Sequence, residues 1–117
     1  RAPDEFTREL AATFVDWGIN TADSILNVKK VAPEMTIFAS GGLKNGLDIA
    51  KSIALGATLG GMAGQFLKDA MVSTEKVVEM IELTKKQIEV TFFSNGNLKP
   101  DKPNLLEGDN PCLTKKP

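Results

Sequence analysis

Polar and apolar positions along the chain alternate with two different periods. Over residues 5–17, Phe6, Leu10, Thr13, Phe14 and Trp17 fall at helical spacing, and Gly18 stops the run. Thr21 is a good N-cap for a second helix, with Asp23 in its first turn. Ile25, Leu26, Val28 and Val31 supply the apolar face of that helix, and Pro33 ends it. The period then changes. Met35 to Ala39 is a short, partly β-branched apolar run that predicts a buried strand, and Ser40-Gly41-Gly42 follows as a tight turn. A helix is predicted over Gly46 to Leu55, opened by Asn45 or Lys44. Its expected inner face is Leu47, Ala50, Ile53 and Ala54, with Gly56 where a glycine past a helix end belongs. Residues 58–62 form a second strand candidate, weakened by its glycines. Ala63-Gly64 leads into a short helix around Gln65 to Met71. Ser73 caps a last long helix striped by Val77, Met80, Ile81, Thr84, Ile88 and Phe92, ending near Ser94-Asn95-Gly96.

After Asn97 the character changes. Four of the six prolines lie in 100–117, and residues 98–117 read as an extended or disordered tail behind a unit of residues 1–97. Strands alternating with helices predict an α/β fold in which the two strands are parallel neighbours with flanking helices. Two short parallel strands cannot bury both faces of a sheet unaided, so the chain reads as part of a larger barrel.

Composition narrows the chemistry. The chain has 117 residues, fewer than the roughly 200 of a complete α/β barrel. Fourteen Lys and Arg against fifteen Asp and Glu leave a net charge of −1 with no basic surface run, which argues against nucleic-acid binding. There is no histidine, hence no Ser-His-Asp triad, Cys-His pair or HExxH zinc site within the chain. The lone Cys112 makes no internal disulfide and no metal cluster, and it reads as inert. The least charged stretch, residues 52–67, is broken by glycines and is shorter than the ~20 apolar residues of a membrane span. The start Arg-Ala-Pro-Asp-Glu has no signal-peptide pattern, so a soluble cytoplasmic protein is expected.

The informative stretch runs from Ala39 to Lys51, followed by Ala54-Leu55-Gly56-Ala57 and Gly61-Met62-Ala63-Gly64. Two strand ends each meet a glycine turn and then a helix start. Without a Cβ the backbone can approach a ligand, and two such turns side by side can grip one phosphate. The same glycines also serve plain βα turns. Lys44 is either a phosphate contact or a solvated surface lysine. Asp16 and Trp17 either touch a ligand or form a helix end with a packing tryptophan. Asp48 and Lys51 are expected to pair along a helix surface, and Met62, Met71 and Met80 to lie in the core.

The segments Phe14-Val15-Asp16-Trp17-Gly18-Ile19-Asn20-Thr21, Ala39 to Asp48, Ala54 to Ala57 and Gly61 to Gly64 resemble the C-terminal part of the type 2 isopentenyl-diphosphate delta-isomerases. These are FMN-dependent TIM barrels of isoprenoid biosynthesis. The Ser-Gly-Gly and Leu-Gly-Ala elements are shared with other FMN barrels, whereas Asp-Trp-Gly-Ile-x-Thr is more specific. The resemblance runs from about residue 12 to 93 and implies a C-terminal segment of a (β/α)8 barrel, strands seven and eight with their helices. It further implies that Gly41, Gly42, Leu43 and Lys44 form the first FMN phosphate loop and Ala63-Gly64 the second. The family often has arginine where Lys44 stands; lysine keeps the charge and loses the planar fork. The implied reaction interconverts isopentenyl and dimethylallyl diphosphate with reduced FMN, Mg²⁺, and NADPH as reductant of the flavin. The family's substrate-binding histidine, metal-binding glutamate and adjacent glutamine belong to earlier barrel segments. No catalytic and no metal-binding residue is therefore assigned to this chain, and its expected partners are the remainder of the barrel and further copies in a homo-oligomer. Two other readings compete. One is another FMN barrel oxidoreductase, such as a 2-hydroxyacid oxidase, which the missing histidine opposes. The other is a non-catalytic piece that folds only with a partner.

Overall fold

The computed structural model describes residues 4–96. The tail assigned to 98–117, with Cys112, lies outside the described residues.

Helix α1 spans Glu5–Thr13 and is capped by Asp4, whose carboxylate accepts from the Thr7 N–H at 2.8 Å. It ends four residues before the expected boundary. The N–H groups of Phe14 and Val15 reach back only three residues, to Ala11 and Ala12, and this tightening closes the helix. No residue of α1 is buried. Trp17 is 84% exposed, which corrects the expectation of a packing tryptophan.

Helix α2 spans Thr21–Val31, and its cap is Asn20 rather than Thr21. Asn20 has the extended backbone a cap needs, and its Oδ1 accepts from the Asp23 N–H at 2.8 Å. Thr21 stands one step inside the helix, which frees its hydroxyl. Of the predicted apolar face only Ile25 is buried; Leu26, Val28 and Val31 are exposed.

Strands β1 (Phe38–Ala39) and β2 (Leu59–Gly60) pair in parallel, with Phe38 opposite Leu59 and Ala39 opposite Gly60. Both are shorter than expected. The Met35 N–H bonds back to the Ala32 carbonyl in a turn after α2, which holds Met35 out of the strand. Bonds from Thr58 N to Ile37 O (2.7 Å) and from Gly61 N to Ala39 O (2.8 Å) flank the ladder.

Helix α3 spans Gly46–Ala54, with Asn45 as its cap. Its buried positions are Gly46, Ile49, Ala50 and Ser52, while Leu47 is exposed, so the predicted inner face is rotated. The reason is the approach of α5 at Gly46. A Cβ there would lie 2.7 Å from the Gln87 Cβ and would overlap the Thr84 carbonyl oxygen. A short helix α4 (Gly64–Ala70) precedes α5, Thr74–Ser94, which Ser73 caps as predicted. Along α5 only Thr84 and Phe92 are buried, and Ile81 of the expected stripe is exposed. Met71 is 82% exposed, against the expectation of a core residue, because it lies just past the end of α4. Met62 and Met80 are half-buried. Gly56, at φ +112°, closes α3 as the sequence predicts.

The core is small. Ile25, Ala39 and Ala57 form its centre, with Ile37, Leu43 and Leu55 packed against them.

Candidate functional site

The parallel register sets the C-terminal ends of β1 and β2 side by side, so the turns that follow them start as neighbours. The Gly61 N–H bound to the Ala39 carbonyl ties the two starts together. After β1 the chain passes through Gly41 at φ +97° and Gly42 at φ +75°. L side chains avoid this left-handed region, so glycine is required by the backbone path itself.

Three side chains fix that path. The Thr21 hydroxyl donates to the Gly41 carbonyl at 2.8 Å, with the Ser40 carbonyl at 3.3 Å. Leu43 is half-buried against the Ile25, Ala39 and Ala57 cluster and pins the turn to the core. One carboxylate oxygen of Asp48 accepts from the Lys44 N–H at 2.9 Å, while the Asp48 N–H donates to the Asn45 side chain at 2.9 Å. The Asp48 carboxylate thus secures the turn, and the ion pairs formed among the described residues are Lys76–Glu79 and Lys86–Glu89, not the expected Asp48–Lys51. Behind the turn, the Gly46 N–H donates to Gln87 Oε1 at 2.8 Å and anchors the start of α3 to α5.

The predicted site residues therefore divide by role. Gly41 and Gly42 present exposed backbone, Leu43 packs inward, and Lys44 is exposed with its own N–H engaged by Asp48. On the second turn, Ala63 and Gly64 are exposed. A Cβ added at Gly42 or at Gly64 would meet no atom within 4 Å, so both turns border open space. Bare backbone beside open space on adjacent strand ends is backbone that an anionic ligand can approach. Among the described residues, no three His, Cys, Asp or Glu side chains are grouped to hold a metal ion. A groove of about 390 Å³ between α3 and α5, lined by Leu47, Leu83 and Val90 among others, includes none of the six predicted cofactor residues.

The hydroxyl clamp from Thr21 was hidden in the sequence because threonine there also makes an acceptable cap. The signal that separates the two roles is Asn20, a better cap one residue earlier. Nothing local marks Gln87, which lies 41 residues from its partner Gly46.

Residues 14–102 match the FMN-dependent dehydrogenase family. The isopentenyl-diphosphate delta-isomerase of Nostoc sp. is 42% identical over 101 residues, which is 86% of this chain and 29% of the relative. Those of Pseudescherichia vulneris and Rickettsia akari are each 42% identical over 97 residues, 83% of this chain and 28% of theirs. The chain thus spans less than a third of the length of these relatives. No helix among the described residues is long and apolar enough to cross a membrane.

Proposed function

Because the chain belongs to the FMN-dependent dehydrogenase family, we propose that it supplies the two phosphate-binding turns of an FMN barrel enzyme that interconverts isopentenyl and dimethylallyl diphosphate. The observation that carries this reading is the pair of glycine turns on neighbouring parallel strand ends, both bordering open space. Barrel enzymes commonly hold phosphate with the turns after their last two strands. The names of the Nostoc, Pseudescherichia and Rickettsia relatives favour the isomerase over an oxidoreductase of the same family.

In this reading Gly41 and Gly42 let the backbone approach the phosphate and offer N–H donors to it. Leu43 holds the turn against the core, the Lys44 ammonium adds positive charge, and Ala63-Gly64 close the other side. When bound, reduced FMN supplies the ring through which protons move on and off the substrate alkene, without net redox change. The residues described here do not fit a Mg²⁺ site, so in this reading Mg²⁺, like the substrate and the NADPH that reduces the flavin, is held outside this segment. A cytoplasmic homo-oligomer belongs to the same proposal.

The test is a hybrid in which residues 14–96 replace the matching segment of the Nostoc relative. The hybrid is expected to purify with FMN and to isomerise isopentenyl diphosphate. A folded hybrid that takes up no flavin overturns the assignment.

A further inference from the structure

We propose that Thr21 is a positioning residue for the phosphate turn, acting through the peptide groups on either side of Gly41. The proposal rests on the FMN reading above and assigns a role to a side chain outside the two turns themselves. The Thr21 hydroxyl donates to the Gly41 carbonyl at 2.8 Å and lies 3.3 Å from the Ser40 carbonyl. A trans peptide is planar, and its C=O and N–H point in opposite directions. Holding the Gly41 carbonyl toward α2 therefore turns the Gly42 N–H away from α2, and the neighbouring Ser40 carbonyl similarly biases the Gly41 N–H. Successive N–H groups turned to one side form the kind of concavity that binds an anion. Left to themselves, two glycines in a row hold no such orientation, because glycine is conformationally the freest residue.

The packing supports the same link. A Cβ on Gly41 would lie 3.3 Å from the Thr21 Oγ1, so the turn and the hydroxyl are in close contact. Asn20 caps α2, which leaves the threonine hydroxyl free for the turn.

The test uses the full 117-residue chain completed by the upstream barrel portion of the Nostoc relative, with FMN and riboflavin as probes. Riboflavin has the same ring system and lacks the phosphate. Thr21→Val keeps the shape of the side chain and removes the hydroxyl; Thr21→Ser keeps the hydroxyl. Thr21→Val is expected to weaken FMN about tenfold, the lower worth of one hydrogen bond to a charged oxygen. Riboflavin affinity is expected to stay unchanged, and Thr21→Ser to restore FMN binding. Equal loss for both flavins would assign Thr21 a general structural role and overturn the proposal. So would parent-like FMN binding by Thr21→Val. A folded parent hybrid that binds neither flavin would instead overturn the cofactor reading itself.

Discussion

Gly46→Ala tests the packing that sets the proposed phosphate turn on its base. Gly46 opens α3, and its missing Cβ is where α5 comes closest. The added methyl would lie 2.7 Å from the Gln87 Cβ and 3.1 Å from the Ile88 nitrogen, and nearer still to the Thr84 carbonyl oxygen. Two of these three neighbours are backbone atoms of a 21-residue helix, so relief requires α3 and α5 to separate. Overpacking of this kind costs about 1–3 kcal/mol. Separation also stretches the 2.8 Å bond from the Gly46 N–H to Gln87 Oε1, a further ~1 kcal/mol. Against this stands a helix-propensity gain of at most about 1 kcal/mol, smaller at a first helical position. The net expectation is a loss of about 1–4 kcal/mol, or roughly 4–30 °C in melting temperature for a domain of this size. Gly64→Ala is the control, since no atom lies within 4 Å of its added Cβ; it should leave stability unchanged or slightly raised. The assay is thermal denaturation followed by far-ultraviolet circular dichroism. A Gly46→Ala protein melting within about 2 °C of the parent would refute the packing argument.

Gly42→Val in the completed barrel should weaken FMN by about a hundredfold or more, because two hydrogen bonds to a charged group are at stake; Lys44→Ala should cost less, since the backbone amides remain. A folded Gly42→Val protein with parent-like affinity, read by flavin fluorescence, would reduce the turn to a plain βα connection. The 117-residue chain alone should not isomerise isopentenyl diphosphate with reduced FMN and Mg²⁺, and turnover above a protein-free control would count against the assignment of catalysis to other barrel segments. The same chain should associate, because unpaired strand edges template self-pairing; a dilute monomer verified by sedimentation would contradict this. The Glu79 hydrogen bond, with its charge, raises the Lys76 pKa above the ordinary lysine value. The pair's contribution should therefore be constant from neutral pH to about pH 10 and fade only as pH climbs through the raised value. Being solvent-exposed it should be small, and a melting difference between parent and Glu79→Gln that vanished already near neutrality would refute the sign.

Local rules carried the element order, the parallel pair, the Ser73 cap and the left-handed Gly56, and narrowed the α3 cap to Asn45 or Lys44, because each is decided within a few residues. What the sequence left hidden depends on distant partners. The inner face of α3 is set by α5 crossing at Gly46, so Ile49 turns inward and Leu47 outward. Asp48 is a plausible partner for Lys51 on helix spacing alone, yet the N–H of Lys44 at the turn holds its carboxylate. Trp17 and Met71 carry apolar bulk beyond the ends of α1 and α4, and periodicity cannot say whether anything lies opposite them. For the site, the glycines were legible because a positive φ leaves little choice of residue, whereas the Thr21 clamp required knowing that residues 21 and 41 meet.

The two faces of the small sheet bear on where this chain sits. Side chains alternate along a strand, so the registered pair Phe38 and Leu59 share one face and the pair Ala39 and Gly60 the other. The small pair is the covered one. Ala39 is buried, and a Cβ on Gly60 would lie 3.1 Å from Ile49, so α3 presses directly on that face. The large pair is bare, with Phe38 67% and Leu59 45% exposed. A soluble two-layer protein would put its bulk under the helix and leave small or polar residues outside. The opposite order suits a sheet whose helix face is tightly packed and whose other face fills the inside of a closed barrel, where bulky side chains from neighbouring strands meet. The bare Phe38 and Leu59 therefore support the proposed place of this segment in a barrel on grounds independent of the glycine turns.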